Sequence, residues 1–155
     1  VFVLTLDELI KKYSVKPASI GVGRWLENGE LQVFLSVGPI TYDYILVDPR
    51  DWSIQVLSLP EDVAASPAWT LDGNWIAYNN GPGFIGIAEI EEKVYEQWRK
   101  EGRKVSLFAY NLATKEKINI AAVNDPAWKF NATWLSNTEL EYFIPPGERK
   151  VYKTR

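Results

Sequence analysis

The chain of 155 residues contains no cysteine, no histidine and no methionine. Without cysteine there are no disulfides, no thiolate nucleophiles and none of the commonest structural zinc sites. Without histidine the usual general base and the usual transition-metal ligand are gone. Long apolar runs are also missing. None approaches the length that crosses a bilayer, and Val1-Phe-Val-Leu4 is short and lacks a basic flank, so neither a membrane helix nor a signal peptide is expected. A start at Val1 with no Met suggests a processed product. Neither sign of charge dominates: 17 basic residues stand against 20 acidic ones, a net charge of -3. The small basic groups Arg99, Lys100, Arg103, Lys104 and Arg149, Lys150, Lys153, Arg155 read as solvated faces, so no nucleic-acid binding is expected.

Catalytic motifs are equally sparse. No Gly-x-Ser-x-Gly occurs, and Gly21-Val-Gly23 and Gly81-Pro-Gly83 lack the lysine and the following helix of a phosphate-cradling loop. Carboxylates are the remaining acids and bases, yet Asp43, Asp48, Asp51, Asp62, Asp72 and Asp125 are scattered over turns with no pairing of the kind glycoside hydrolysis needs. Asp72 precedes Gly73, where a turn wants it. Asn131-Ala-Thr133 matches a glycosylation acceptor, a triplet that chance produces often. No catalytic residue, metal site or cofactor is expected, and the chain is not expected to be an enzyme on its own.

What is present is repetition. Trp25-Leu-Glu-Asn28-Gly29-Glu-Leu31, Trp69-Thr-Leu-Asp72-Gly73-Asn-Trp75 and Trp134-Leu-Ser-Asn137-Thr138-Glu-Leu140 each combine a tryptophan, a tight two-residue turn and a fresh apolar run. Each reads as the hairpin between the first two strands of a unit. Leu31, Val33, Leu35 and Val37 alternate with period 2, and Tyr42 to Val47 and Ile54 to Leu57 follow across a turn at Asp48-Pro49-Arg50-Asp51, completing a four-strand meander that begins at Ser19. A second meander runs through Pro67-Ala-Trp69, Trp75 to Tyr78, Val105 to Asn111 and Ile118 to Ile120. Between its second and third strands Ile87, Ile90, Val94 and Trp98 recur at helical spacing ahead of Gly102, which predicts an inserted helix over 88–101. That insertion explains why the second interval between the tryptophans exceeds the first by about twenty residues.

The third unit offers Lys129 to Trp134, Leu140 to Ile144 and, after Pro145-Pro-Gly147, Lys150 to Lys153, with no fourth strand of its own. Val1 to Leu4 is the candidate to fill that place. Thr5-Leu-Asp-Glu8 fits a capping box, and Leu6, Leu9, Ile10 and Tyr13 share a face, so a short helix over 6–13 is expected. The expected organisation is one domain over 1–155: a strand and short helix over 1–18, unit one over 19–60, unit two over 61–123 and a partial unit three over 124–155. The fold class is all-β, with antiparallel meander sheets stacked as blades.

Ser66-Pro-Ala-Trp-Thr-Leu-Asp-Gly-Asn-Trp-Ile-Ala-Tyr78, followed by Ser106-Leu-Phe-Ala-Tyr-Asn-Leu-Ala-Thr-Lys-Glu-Lys117, resembles the repeat of TolB-like (PD40-type) β-propellers. The likeness is good in unit two, fair in unit one and weak in unit three, where Thr138 replaces Gly. It implies a propeller-like fold, with under three blades where known rings need about four or more. The resemblance also implies an extracytoplasmic setting in the periplasm or cell envelope. Similar blades occur in periplasmic envelope proteins, in gating domains of prolyl-oligopeptidase-type enzymes and in carbohydrate-active proteins, so it says little about function.

Trp25, Trp69 and Trp134 hold equivalent places and are expected in the core between neighbouring sheets. Trp52 in a turn, Trp98 and Arg99 on the helix and Trp128 ahead of a strand break the repeat and are the candidate contacts for a ligand or partner. The leading expectation is a non-catalytic interaction or assembly module that binds a protein partner or another copy of itself. Its rival is a carbohydrate-binding domain or an accessory part of a larger carbohydrate-active or peptidase enzyme.

Overall fold

A computed structural model of the protein describes residues 19–36, 42–61, 67–82 and 88–154, with the single positions 5, 7, 11 and 63. The strand expected at 1–4 lies outside the described residues, as does all but two positions of the helix expected at 6–13. Two compact units divide the chain, Val1–Pro60 and Glu61–Arg155. Three antiparallel sheets and one helix make up the described structure.

In the first unit β1 (Ser19–Trp25), β2 (Leu31–Ser36), β3 (Tyr42–Val47) and β4 (Ile54–Leu57) pair in sequence order as a meander. The alternation in β2 buries Val33 and Leu35, which cluster with Ile45 and Val47 of β3. The opposite face is buried as well, through Gln32, Tyr44, Leu46 and Leu57. Gly21 is required there by a close approach: a Cβ on it would lie 2.0 Å from the ring of Phe34, its cross-strand partner.

The second unit holds a four-stranded meander of β5 (Ala68–Trp69), β6 (Trp75–Asn79), β7 (Val105–Asn111) and β8 (Lys117–Val123). Against it packs a three-stranded meander of β9 (Ala132–Trp134), β10 (Glu139–Ile144) and β11 (Glu148–Lys153). Helix α1 (Ala88–Lys100) lies between β6 and β7 in sequence. Its end is a Schellman turn: Gly102 N donates to Arg99 O, Arg103 N donates to Trp98 O, and Gly102 takes the left-handed φ of 64° that this geometry demands. The shared core joins Ala77, Val105 and Leu107 of the larger sheet, Leu140 of the smaller, Trp98 of α1 and Phe130.

The repeated hairpins differ from expectation in length. Leu26 N donates to Glu30 O and Leu135 N to Glu139 O, but in the second hairpin Thr70 N donates to Trp75 O, one residue further on. None is a two-residue turn. The expectation rested on Asn-Gly and Asp-Gly, whose glycines do adopt left-handed φ of 85° and 75°, but at the end of longer loops. In consequence Trp25 pairs with Leu31 and Trp134 with Leu140, whereas Trp69 pairs with Ile76 and not with the motif's Trp75.

Candidate functional site

The three tryptophans of the repeat meet three different environments. Trp69 is buried. Trp134, half-buried, packs on the core of the second unit, and its indole Nε1 donates to the carbonyl of Ala68 on β5 at 3.2 Å. Close approach is helped by a row of small side chains, since Ala68, Ala77 and Ala109 are consecutive partners across β5, β6 and β7. Trp25 is 61% exposed, which corrects the expectation that all three are core. Its register shift explains part of this, for the pairing of β1 with β2 is interrupted between Val22 and Trp25 at the edge of the sheet.

A second clasp joins the sheets of the second unit at their hairpin tips. Asp72 caps its own turn, accepting from Asn74 N at 3.0 Å and from the Thr70 hydroxyl at 2.6 Å. Burial works against the ionised form, yet these hydrogen bonds hold the Asp72 carboxyl below its ordinary range. In the third hairpin Ser136 Oγ takes over that capping role, accepting from Thr138 N and Glu139 N. Asn137, at the position equivalent to Asp72, reaches the other sheet instead: its Oδ1 accepts from Asp72 N at 3.1 Å.

Of the four residues singled out from sequence, Trp52 is 47% exposed and sits at the tip of the β3–β4 hairpin. It adopts φ 61°, unusual for so bulky a side chain. The geometry is reproduced at the β7–β8 hairpin, where Lys115 has φ 64° and donates from N to Asn111 O just as Trp52 N donates to Asp48 O. Trp98 is turned inward and seats α1 on the core, with the Arg103 guanidinium 3.9 Å from its ring centroid. Arg99 is exposed and ion-paired with Glu92 at 2.9 Å. Trp128 is half-buried against the same core as Trp98 and meets Phe130 edge-on. The structure therefore gathers Trp98 and Trp128 around one core, while Trp52 belongs to the other unit.

The outward part of α1 carries both signs: Glu89, Glu92 and Glu96 are exposed together with Lys93, Arg99 and Lys100, and Ile90 is 44% exposed among them. On β11 the basic residues are matched locally, Arg149 with Glu141, Lys150 with Glu148 and Lys153 with its cross-strand partner Glu139. No group of three or more acidic, histidine or cysteine side chains capable of holding a metal ion occurs among the described residues. Among the described residues no helix is long and apolar enough to cross a membrane.

Sequence reasoning missed Asn79. Its amide Nδ2 donates to Phe130 O across the sheets at 3.2 Å, but the Asn79-Asn80-Gly81 run reads as a loop and gives no sign of it.

No family model matches the chain, and no curated protein matches it. Among solved structures, TolB from Acinetobacter baumannii superposes with a TM-score of 0.43 and 10% sequence identity, over 87% of this chain and 32% of that one. The chain thus spans about a third of the length of that structure.

Proposed function

We propose that this chain is a non-catalytic interaction module of the β-propeller type, whose blade-like units span 19–60, 61–123 and 124–155, and that its partner is a second copy of itself. The supporting observation is the contrast between two hairpins of one register. Trp134 is seated on a neighbouring sheet, whereas Trp25, paired in the same way with its leucine, presents most of its surface to solvent. Exposed Val22 on the same strand enlarges that apolar patch. At the other end of the chain, Leu135 and Val151 leave apolar surface on the third sheet. A head-to-tail contact between these two surfaces would be heterologous, giving a ring where the rotation closes.

In this reading Trp52 and Arg99 are outward contacts, and Trp98 and Trp128 hold the helix that carries Arg99. An extracytoplasmic setting accompanies the proposal. Light scattering on the full chain and on Trp25→Ser tests it. The wild type is expected to show a multiple of the monomer mass and the variant to shift toward the monomer. A wild-type monomer at all concentrations, or a variant mass unchanged, defeats the reading.

The rival, a carbohydrate-binding or accessory domain, draws on the two exposed indoles of the first unit, Trp25 and Trp52. Tryptophan fluorescence titrated with a sugar panel separates the two: saturable quenching favours the rival, and silence favours assembly.

A further inference from the structure

The chain holds two Asn-Gly pairs, Asn28-Gly29 and Asn80-Gly81, which are equivalent as sequence and unlike as structure. A glycine has no side chain to shield its backbone nitrogen, so that nitrogen can attack the amide carbon of the asparagine before it. In the second pair the approach is blocked. Asn80 N donates to Ser106 O at 3.3 Å and Asn80 Oδ1 accepts from Ser106 N at 2.8 Å, which fastens the residue after β6 to a buried position of β7. Gly81 lies against the fully buried Val105, whose side chain would be 3.3 Å from a Cβ placed on the glycine. Releasing Asn80 therefore means parting two strands. In the first pair Asn28 and Gly29 are both exposed, and a Cβ on Gly29 would meet nothing within 4 Å. Their hydrogen bonds stay inside one hairpin tip: Gly29 N donates to Leu26 O at 3.0 Å, and Glu30 serves both ends of the Asn28 amide, its N donating to Oδ1 at 3.0 Å and its Oε2 accepting from Nδ2 at 2.8 Å. Opening such a tip costs only those local bonds.

We propose that Asn28 is a self-acting modification site, where the folded chain turns an asparagine into aspartate and isoaspartate while Asn80 keeps its amide. Hydroxide takes the proton from Gly29 N, the nitrogen forms a bond to Asn28 Cγ, and the Cγ–Nδ2 bond breaks, Nδ2 leaving as ammonia with a proton from water. The Glu30 N–H on Oδ1 draws electrons from Cγ and steadies the oxyanion that develops there. Water then opens the cyclic imide. Attack at Cγ gives aspartate, and attack at the main-chain carbonyl carbon gives isoaspartate, whose chain runs on through Cβ and Cγ. The new carboxylate stands between Glu27 and Glu30, three residues beyond the exposed Trp25. It adds like-charge repulsion to the tip and, in the iso form, one more backbone atom to the loop. The chemistry needs no second copy of the chain and stands whether or not copies associate.

The test is incubation of the full chain in mildly alkaline buffer, folded and in parallel in urea, read by peptide mass mapping and by methyl transfer from an isoaspartyl methyltransferase. In urea the two asparagines are expected to convert at rates within about threefold of each other, since the dipeptide is the same. In the folded chain Asn28 is expected to convert at least about tenfold faster than Asn80, with isoaspartate among its products. Asn28→Ser, whose hydroxyl can cap the same exposed turn, is expected to abolish the methyl-accepting product of the folded chain. A folded-state ratio below about tenfold, or a ratio as large in urea, overturns the proposal. Product at position 28 without isoaspartate, or undiminished methyl acceptance by Asn28→Ser, overturns it as well.

Discussion

The hairpins that begin the first and third sheets are built alike and end in opposite circumstances. Both close with a backbone hydrogen bond between residues four apart, and both pair their tryptophan with the first leucine of the next strand. Trp134 has a row of alanines to lie against and a carbonyl to bond, and it becomes part of a core. Trp25 follows a register break on an edge strand and remains 61% exposed. The same seven-residue pattern therefore codes the hairpin but not its burial. Burial is decided by what the neighbouring surface offers, and small residues opposite a large one are what let an indole close the gap.

The sharpest way to strain this comparison is through the core that Trp134 shares. Leu140 pairs with Trp134 and is fully buried, so Leu140→Ala is expected to destabilise by about 3 kcal/mol. Val151→Ala on the exposed part of the same sheet should change stability by less than about 0.5 kcal/mol. Urea unfolding of both variants provides the measurement. A small loss from Leu140→Ala would mean that the two sheets are not packed as described.

Next in size is the direct exchange at the two indoles. Trp134→Phe removes the donor to Ala68 O and part of the packed surface, and should cost about 1–2 kcal/mol. Trp25→Phe should cost less than about 0.5 kcal/mol in dilute solution, where the monomer predominates. Equal losses would erase the distinction between them.

These contrasts also mark how far the sequence can be read. The meanders were legible because Leu31, Val33 and Leu35 alternate through β2, aromatic and β-branched residues are frequent in β3, and turn residues punctuate them. The helix was legible from Val94 and Trp98 four residues apart and from Gly102, since a Schellman stop is a local event. Trp25's exposure was not, because repeat equivalence says nothing of a register break. Nor was the longer second turn, since Asp72-Gly73 looks the same in either loop length. Asn137 was obscured for a further reason: Ser136 performs the capping that the motif assigns to its neighbour, so the asparagine's reach to Asp72 depends on a second hairpin folded beside it. Among the candidate contacts, Trp98's burial follows from where the helix lands, and spacing alone left both of its faces eligible.

The closing hairpins provide a finer comparison. Trp52 and Lys115 occupy matching left-handed positions, which cost a side chain about 1–2 kcal/mol relative to the usual region. Asparagine tolerates that conformation better, so Trp52→Asn and Lys115→Asn should each raise stability by about 0.5 kcal/mol in thermal unfolding. A loss at Trp52 alone would show that its ring makes contacts worth more than the strain. Partner binding should then fall with it.

The smallest effect separates the same two hairpins by pH. Asp48 and Asn111 begin their loops with the same pair of backbone hydrogen bonds, but only Asp48 titrates. Arg50 donates to its carboxylate from Nε and Nη2 at 2.5–3.1 Å and from its backbone N at 2.9 Å, which lowers the Asp48 pKa to about 2 from an ordinary 3.8. A carboxylate lowered in the folded state adds stability above its unfolded pKa, and that contribution disappears as the pH falls through about 2. The Arg50 side chain is 78% exposed, and solvent screening of the pair keeps the effect slight. Carboxyl-carbon NMR between about pH 1.5 and 6 reads the titration directly. Arg50→Gln should return Asp48 most of the way to 3.8. Asp48→Asn should remove Asp48's share of the first hairpin's acid sensitivity, because an amide accepts the backbone bond without a proton to lose, and leave only that of Asp51, whose carboxylate accepts from Ser53 N at 2.9 Å and is lowered as well. An Asp48 that already titrates near 3.8 in the wild type would show that the Arg50 contact does not persist in solution.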